Sequence, residues 1–81
     1  MVPEPVAVIG LGYVGNVVAA SLAASGRRVI GVDRRAEVVE ALAAGRAPIP
    51  EPDLQSRIDT ARALGTLTAT TSVFEAVVTA S

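Results

Sequence analysis

Three glycines, Gly10, Gly12 and Gly15, interrupt the long uncharged stretch from Pro5 to Gly26 and so constrain how the first third of the chain can fold. An unbroken apolar stretch of that length is enough to span a bilayer. Here the glycines break its first half, and Asn16, Ser21 and Ser25 interrupt the rest. A secretory leader opens on basic residues, whereas Glu4 is acidic and no Lys or Arg precedes Arg27. The pattern therefore reads as two buried elements joined by a glycine turn, with a membrane anchor as the rival. Val6 to Ile9, rich in β-branched residues, is expected to be a strand buried on both faces, as in a parallel sheet. Tyr13 to Ser25 is rich in Ala and Val, which suits a helix pressed closely onto that sheet, and Gly26 ends it.

The same alternation continues. Arg28 to Val32 forms a second strand, closed by Asp33. Ala36 to Ala44 forms a second helix with Val38, Val39 and Leu42 on its apolar stripe and Glu37 and Glu40 toward water. Gly45 marks its end. Ala47 to Pro52 holds three prolines, which fix φ and remove backbone donors, so this stretch is a stiff connector. Pro52 can open a third helix. Leu54, Ile58, Ala61 and Leu64 then repeat at helical spacing up to Gly65, with Leu54, Ile58 and Leu64 as core and Arg57 and Arg62 on a solvated face. Leu67 to Thr71 is a third strand. Ser72 and Glu75 stand at capping-box spacing, so a last helix starts at Val73 and runs to Ser81. Strands alternating with helices imply an α/β fold with a parallel sheet and right-handed crossovers. The expected architecture is a truncated Rossmann fold, half of a doubly wound sheet, with strand order 3-2-1 and flanking helices. A final helix normally leads to another strand, so residues 1–81 are expected to be the N-terminal portion of a larger domain, with any substrate domain absent.

Gly10-Leu11-Gly12-Tyr13-Val14-Gly15 matches G-x-G-x-x-G. Its context makes the match informative: it follows a strand, opens a helix, and an acid, Asp33, closes the next strand. In such a dinucleotide-binding turn the first glycine permits the tight bend, the second lets a pyrophosphate approach the backbone, and the third lets the helix pack closely. The helix N-terminus supplies amides and the positive end of a dipole, so the site needs no cation. Asp33 is placed to accept hydrogen bonds from the adenosine ribose and to disfavour a 2′-phosphate, which points to NAD. Arg34 and Arg35 follow it; an arginine there either stacks on adenine or holds a 2′-phosphate. Tyr13 either shields the cofactor or simply packs.

The composition limits chemistry. The 81 residues contain no Cys and no His, and all seven basic residues are Arg. No disulfide, thiolate metal site, imidazole base or lysine amine is available, so no catalytic and no metal-binding residue is expected. A net charge of −1 offers no surface for nucleic acid or an anionic membrane.

Four segments resemble the UDP-glucose/GDP-mannose dehydrogenase family. They are Val6 to Gly15 with Tyr-Val inside the glycine motif, Val29 to Asp33, the connector Pro48-Ile49-Pro50-Glu51-Pro52, and Leu67 to Thr71. The connector is the most diagnostic, because ordinary Rossmann domains lack it. The resemblance implies an enzyme that oxidises the primary alcohol of a nucleotide sugar to a carboxylate with two NAD molecules in turn. It places the cysteine and lysine of that chemistry downstream of this chain, which leaves these residues with cofactor binding alone. It also implies that Gly10, Gly12, Tyr13, Val14 and Gly15, in the loop that includes Leu11, line the pyrophosphate, with Asp33 on the ribose and Arg34 beside it. Two positions depart from the family. Val38 stands where a basic residue is often found, so Arg34 or Arg35 must substitute, and Asp53 replaces the glycine of Glu-Pro-Gly. The expected partners are NAD and, in a full-length parent only, a nucleotide sugar, with a cytoplasmic location and no nucleic acid or membrane. The first strand lacks a neighbour on one side, so self-association through that edge is expected. The alternative is a stand-alone or engineered nucleotide-binding module.

Overall fold

The computed structural model describes residues 4–80. Three strands, β1 (Val6–Ile9), β2 (Val29–Val32) and β3 (Leu67–Thr70), form a parallel sheet in the order β1-β2-β3. This is the expected order read from the other edge. The register pairs Val8 with Gly31 and Gly31 with Ala69. Four helices complete the fold: α1 (Tyr13–Ala24), α2 (Ala36–Ala43), α3 (Leu54–Leu64) and α4 (Val73–Ala80). Ser81, where the last helix was expected to end, lies outside the described residues.

Period-two alternation along β2 divides the core. Val29 packs with Leu11, Ala19, Ala20, Ala23, Leu54, Ile58 and Ala61 on the face covered by α1, α2 and α3. Ile30 and Val32 point the other way, onto Ala76 of α4. The alanines of α1 serve two neighbours: they let the helix lie close to the sheet and also along α3, its most extensive helix contact. Thr66 links the layers, its hydroxyl donating to the Ala23 carbonyl at 2.6 Å just ahead of β3.

Some expectations need correction. β1 is half-buried rather than buried on both faces, and Ile9 is exposed, because β1 is an edge strand that pairs only with β2 among the described residues. Pro52 does not open α3. It lies in a turn with Asp53, and the helix starts at Leu54, whose amide donates to the Glu51 carbonyl at 3.1 Å. Leu64 is exposed, since the buried stripe of α3 ends at Ala61. Arg62 is exposed, as expected of a solvated face, and from there its guanidinium donates to the carbonyl of Ala44 at 2.7 Å at the end of α2. The Pro-rich connector is pinned by Gln55, which accepts from the Ala47 amide and donates to the Gly45 carbonyl, both at 2.8 Å. Ser72 does cap α4, its hydroxyl accepting from the Glu75 amide at 3.0 Å. The Glu75 carboxylate turns to the Thr70 hydroxyl instead of completing a capping box. Among the described residues no helix is long and apolar enough to cross a membrane.

Candidate functional site

The carboxyl ends of the three strands open onto one crevice. Ile9, Gly10 and Gly12 line it after β1, Val32 to Arg35 after β2, and Thr71 and Val73 after β3. Its volume is about 580 Å³. Topology places it there. Helices α1 to α3 lie on one face and α4 on the other, so the connections part at these strand ends, which is where open α/β sheets bind ligands.

The glycine loop forms one wall. Gly10 takes φ +93°, a left-handed backbone that residues with a Cβ rarely adopt, and its amide anchors the turn on the Val32 carbonyl at 2.8 Å. A Cβ on Gly15 would run into the Gly10 carbonyl oxygen, so this glycine lets α1 start hard against the loop. Gly12 differs: a Cβ there would meet nothing within 4 Å. Its backbone is open to the crevice. Among the described residues, no acceptor takes a hydrogen bond from the amides of Gly12, Tyr13, Val14 or Gly15. Four consecutive donors at the positive end of a helix dipole suit an anion.

Behind this wall the loop is tied down by residues whose roles are structural. Leu11 does not face the crevice. Its side chain is buried against Gly31, where a Cβ would press on Leu11 Cδ1 at 3.0 Å. Its amide donates to Asp33 Oδ2 at 2.8 Å, so it is not one of the donors available to a ligand. Buried Asn16 donates through Nδ2 to the Leu11 carbonyl at 2.6 Å and to the Gly12 carbonyl at 3.2 Å. Its Oδ1 is buried with no partner among the described residues. In the sequence Asn16 reads only as a break in an apolar stretch, and Gly31 only as part of the second strand. A buried amide among alanines on α1 and a glycine inside a strand were the available signals.

Asp33 forms the opposite wall and is mostly buried. Besides the Leu11 amide, its carboxylate accepts from the Arg35 amide at 2.9 Å and from Arg35 Nε and Nη2 at 2.9 and 3.0 Å. The Arg35 side chain and amide, with the Leu11 amide, hold the Asp33 carboxyl well below the usual carboxylate range, against the opposing pull of burial. In turn the hydrogen bond and charge of Asp33 raise the Arg35 guanidinium. Arg34 is exposed beside them and makes no hydrogen bond among the described residues. The structure thus brings Gly10, Gly12, Asp33 and Arg34 into one crevice, sets Tyr13, Val14 and Gly15 on the first turn of α1 beside it, and turns Leu11 away. No group of three His, Cys, Asp or Glu converges on a metal-binding geometry among the described residues.

Comparison with known proteins identifies the family of this fold. Residues 4–81 match the model of the UDP-glucose/GDP-mannose dehydrogenase family, NAD binding domain. GDP-mannose 6-dehydrogenase of Pseudomonas aeruginosa is 40% identical over 72 residues, 89% of this chain and 16% of that protein. UDP-N-acetyl-D-mannosamine dehydrogenase of Escherichia coli is 44% identical over 71 residues, 88% of this chain and 17% of that protein. Among solved structures, a UDP-glucose dehydrogenase from Pyrobaculum islandicum superposes with a TM-score of 0.86 at 43% identity, covering 93% of this chain and 17% of the other. A ternary complex of the Pseudomonas GDP-mannose dehydrogenase gives 0.88 at 39% identity with the same coverages. The chain spans about a sixth of the length of these relatives. With a matching family model, close sequence relatives and a shared fold, the chain belongs to the UDP-glucose/GDP-mannose dehydrogenase family and corresponds to its NAD-binding domain.

Proposed function

We propose that the chain is the cofactor-holding segment of an NAD-dependent nucleotide-sugar 6-dehydrogenase, one that oxidises a sugar alcohol to a carboxylate, and that alone it binds the ADP half of NAD without catalysis. The observation that carries this is the run of four amides without acceptors, Gly12 to Gly15, at an open glycine and in the same crevice as a carboxylate on the next strand. Gly10, Gly12, Tyr13, Val14 and Gly15 cradle the pyrophosphate, Asp33 takes the ribose hydroxyls, and Arg34, exposed and unpaired, lies against the adenine. Leu11 supports from behind. With no Cys, Lys or His in the chain, the oxidation itself depends on residues elsewhere in a longer protein. The substrate there is a nucleotide sugar, as in the named relatives, and the location is cytoplasmic, alongside the NAD pool.

We further propose that the chain self-associates. The β1 edge and exposed Ile9, Val14, Val18 and Phe74 leave apolar surface that a single copy does not cover. NAD titration of the wild type and of Gly12→Val tests the main reading. The valine is expected to abolish binding by filling the space the pyrophosphate needs. Equal affinity in a folded Gly12→Val protein refutes the site.

A further inference from the structure

We propose that Arg35 is a built-in competitor of the adenosine ribose, and that its guanidinium, once displaced, narrows the preference of the site for NAD over its 2′-phosphorylated form. The inference rests on the dinucleotide reading above.

The argument is one of acceptor capacity. An ionised carboxylate offers about four lone-pair directions. Those of Asp33 meet four donors: the Leu11 and Arg35 amides and the Arg35 Nε and Nη2 groups. The two amides belong to the glycine loop and to the turn after β2, and cannot leave without undoing those turns. The other two belong to a side chain that is half exposed and whose one further hydrogen bond among the described residues is to the Leu11 carbonyl at 3.4 Å. A ribose diol brings two O–H donors to the same oxygens. It can be accommodated only where Arg35 now sits. The exchange replaces two charge-assisted N–H bonds by two bonds from neutral hydroxyls, which are the weaker kind. Arg35 therefore opposes NAD binding.

The displaced guanidinium remains in the same crevice, beside Arg34. A bare acid rejects a 2′-phosphate by its charge. Here a planar, permanently charged fork that matches phosphate geometry stands next to that acid. The charge that would exclude NADP is offset by the group NAD has to push aside.

The test compares Kd values for NAD and NADP in the wild type, Arg35→Ala and Arg35→Lys, by calorimetry, with circular dichroism to establish folding. Arg35 precedes α2 and the α2 contact it supplies is its carbonyl, which both variants keep. Arg35→Ala is expected to bind NAD about two- to fivefold more tightly, the scale of an ion pair that solvent reaches from the half-exposed guanidinium side, and NADP more weakly. Arg35→Lys keeps the charge but loses the fork, so it is expected to gain affinity for NAD and to bind NADP more weakly than the wild type but more tightly than Arg35→Ala. Binding of NAD that is unchanged or weakened in folded Arg35→Ala overturns the inference and leaves the dinucleotide reading standing. If none of the three proteins binds either nucleotide, the dinucleotide reading fails and takes this one with it. A silent wild type with a binding-competent Arg35→Ala supports both.

Discussion

Gly12 and Gly15 occupy one motif but should answer differently to a single added methyl group. A Cβ on Gly15 would fall on the Gly10 carbonyl oxygen and lie 3.0 Å from its carbon. Both are main-chain atoms of a turn whose amide is already held by β2, so neither can rotate away. The helix must retreat from the loop, at the upper end of the ~1–3 kcal/mol typical of overpacking. Replacing glycine by alanine inside a helix returns at most about 1 kcal/mol. Gly15→Ala should therefore lose about 2 kcal/mol, or roughly 8–16 °C in Tm for a domain of this size. At Gly12 the backbone has φ −73°, which alanine adopts freely, and the new methyl meets nothing within 4 Å. Gly12→Ala should stay within about 0.5 kcal/mol of wild type, yet weaken NAD, because the methyl enters the space of the pyrophosphate. Thermal unfolding followed by circular dichroism reads the first quantity, and NAD titration the second. Equal stability loss in the two variants, or a Gly15→Ala protein as stable as wild type, would refute the division of labour between the two glycines.

Other perturbations test the frame around the site. Ile58→Ala empties a fully buried position between α3 and α1 and should cost about 2–5 kcal/mol in urea unfolding. A loss below 1 kcal/mol would mean this layer is not the core. Asp33 is held ionised in the fold, with its carboxyl below the ordinary range. Its contribution is therefore complete above about pH 4, where an unfolded aspartate titrates, and fades as pH falls through the lower folded value. The stability gap between wild type and Asp33→Asn should shrink on acidification below that point; a gap that widens would contradict the sign. Light scattering across a concentration series should show assemblies larger than one chain, and a clean monomer at high concentration would remove the self-association proposal.

The layout of the fold was legible because local signals agreed with one another. Glycine and proline punctuation bounded each element, and the change between strand and helix periods named its type. What remained hidden was tertiary. The expected strand order already put Val6 to Ile9 at an edge, but its unbroken apolar run carries no sign of how much each face is covered, so its burial was overstated. Leu64 continues a helical repeat, but none of the described residues covers it. The glycine motif and Asp33 were visible as the two walls of a site. That Leu11 would turn inward was not, because it depends on the gap left by Gly31 on a strand distant in sequence. Arg35 was visible as a charge of ambiguous purpose. Only the geometry of its fork on Asp33 gives it a definite role.

The account stands or falls on where the cofactor's diphosphate lands. Amide chemical shifts of the isotopically labelled chain, followed during titration with NAD, locate that contact directly. The largest changes are expected at Gly10, Gly12, Tyr13, Val14 and Gly15, with a second group at Asp33 to Arg35. Changes that spare the glycine loop and gather instead at the hollow between Leu42, Ile58 and Gly65 would contradict it.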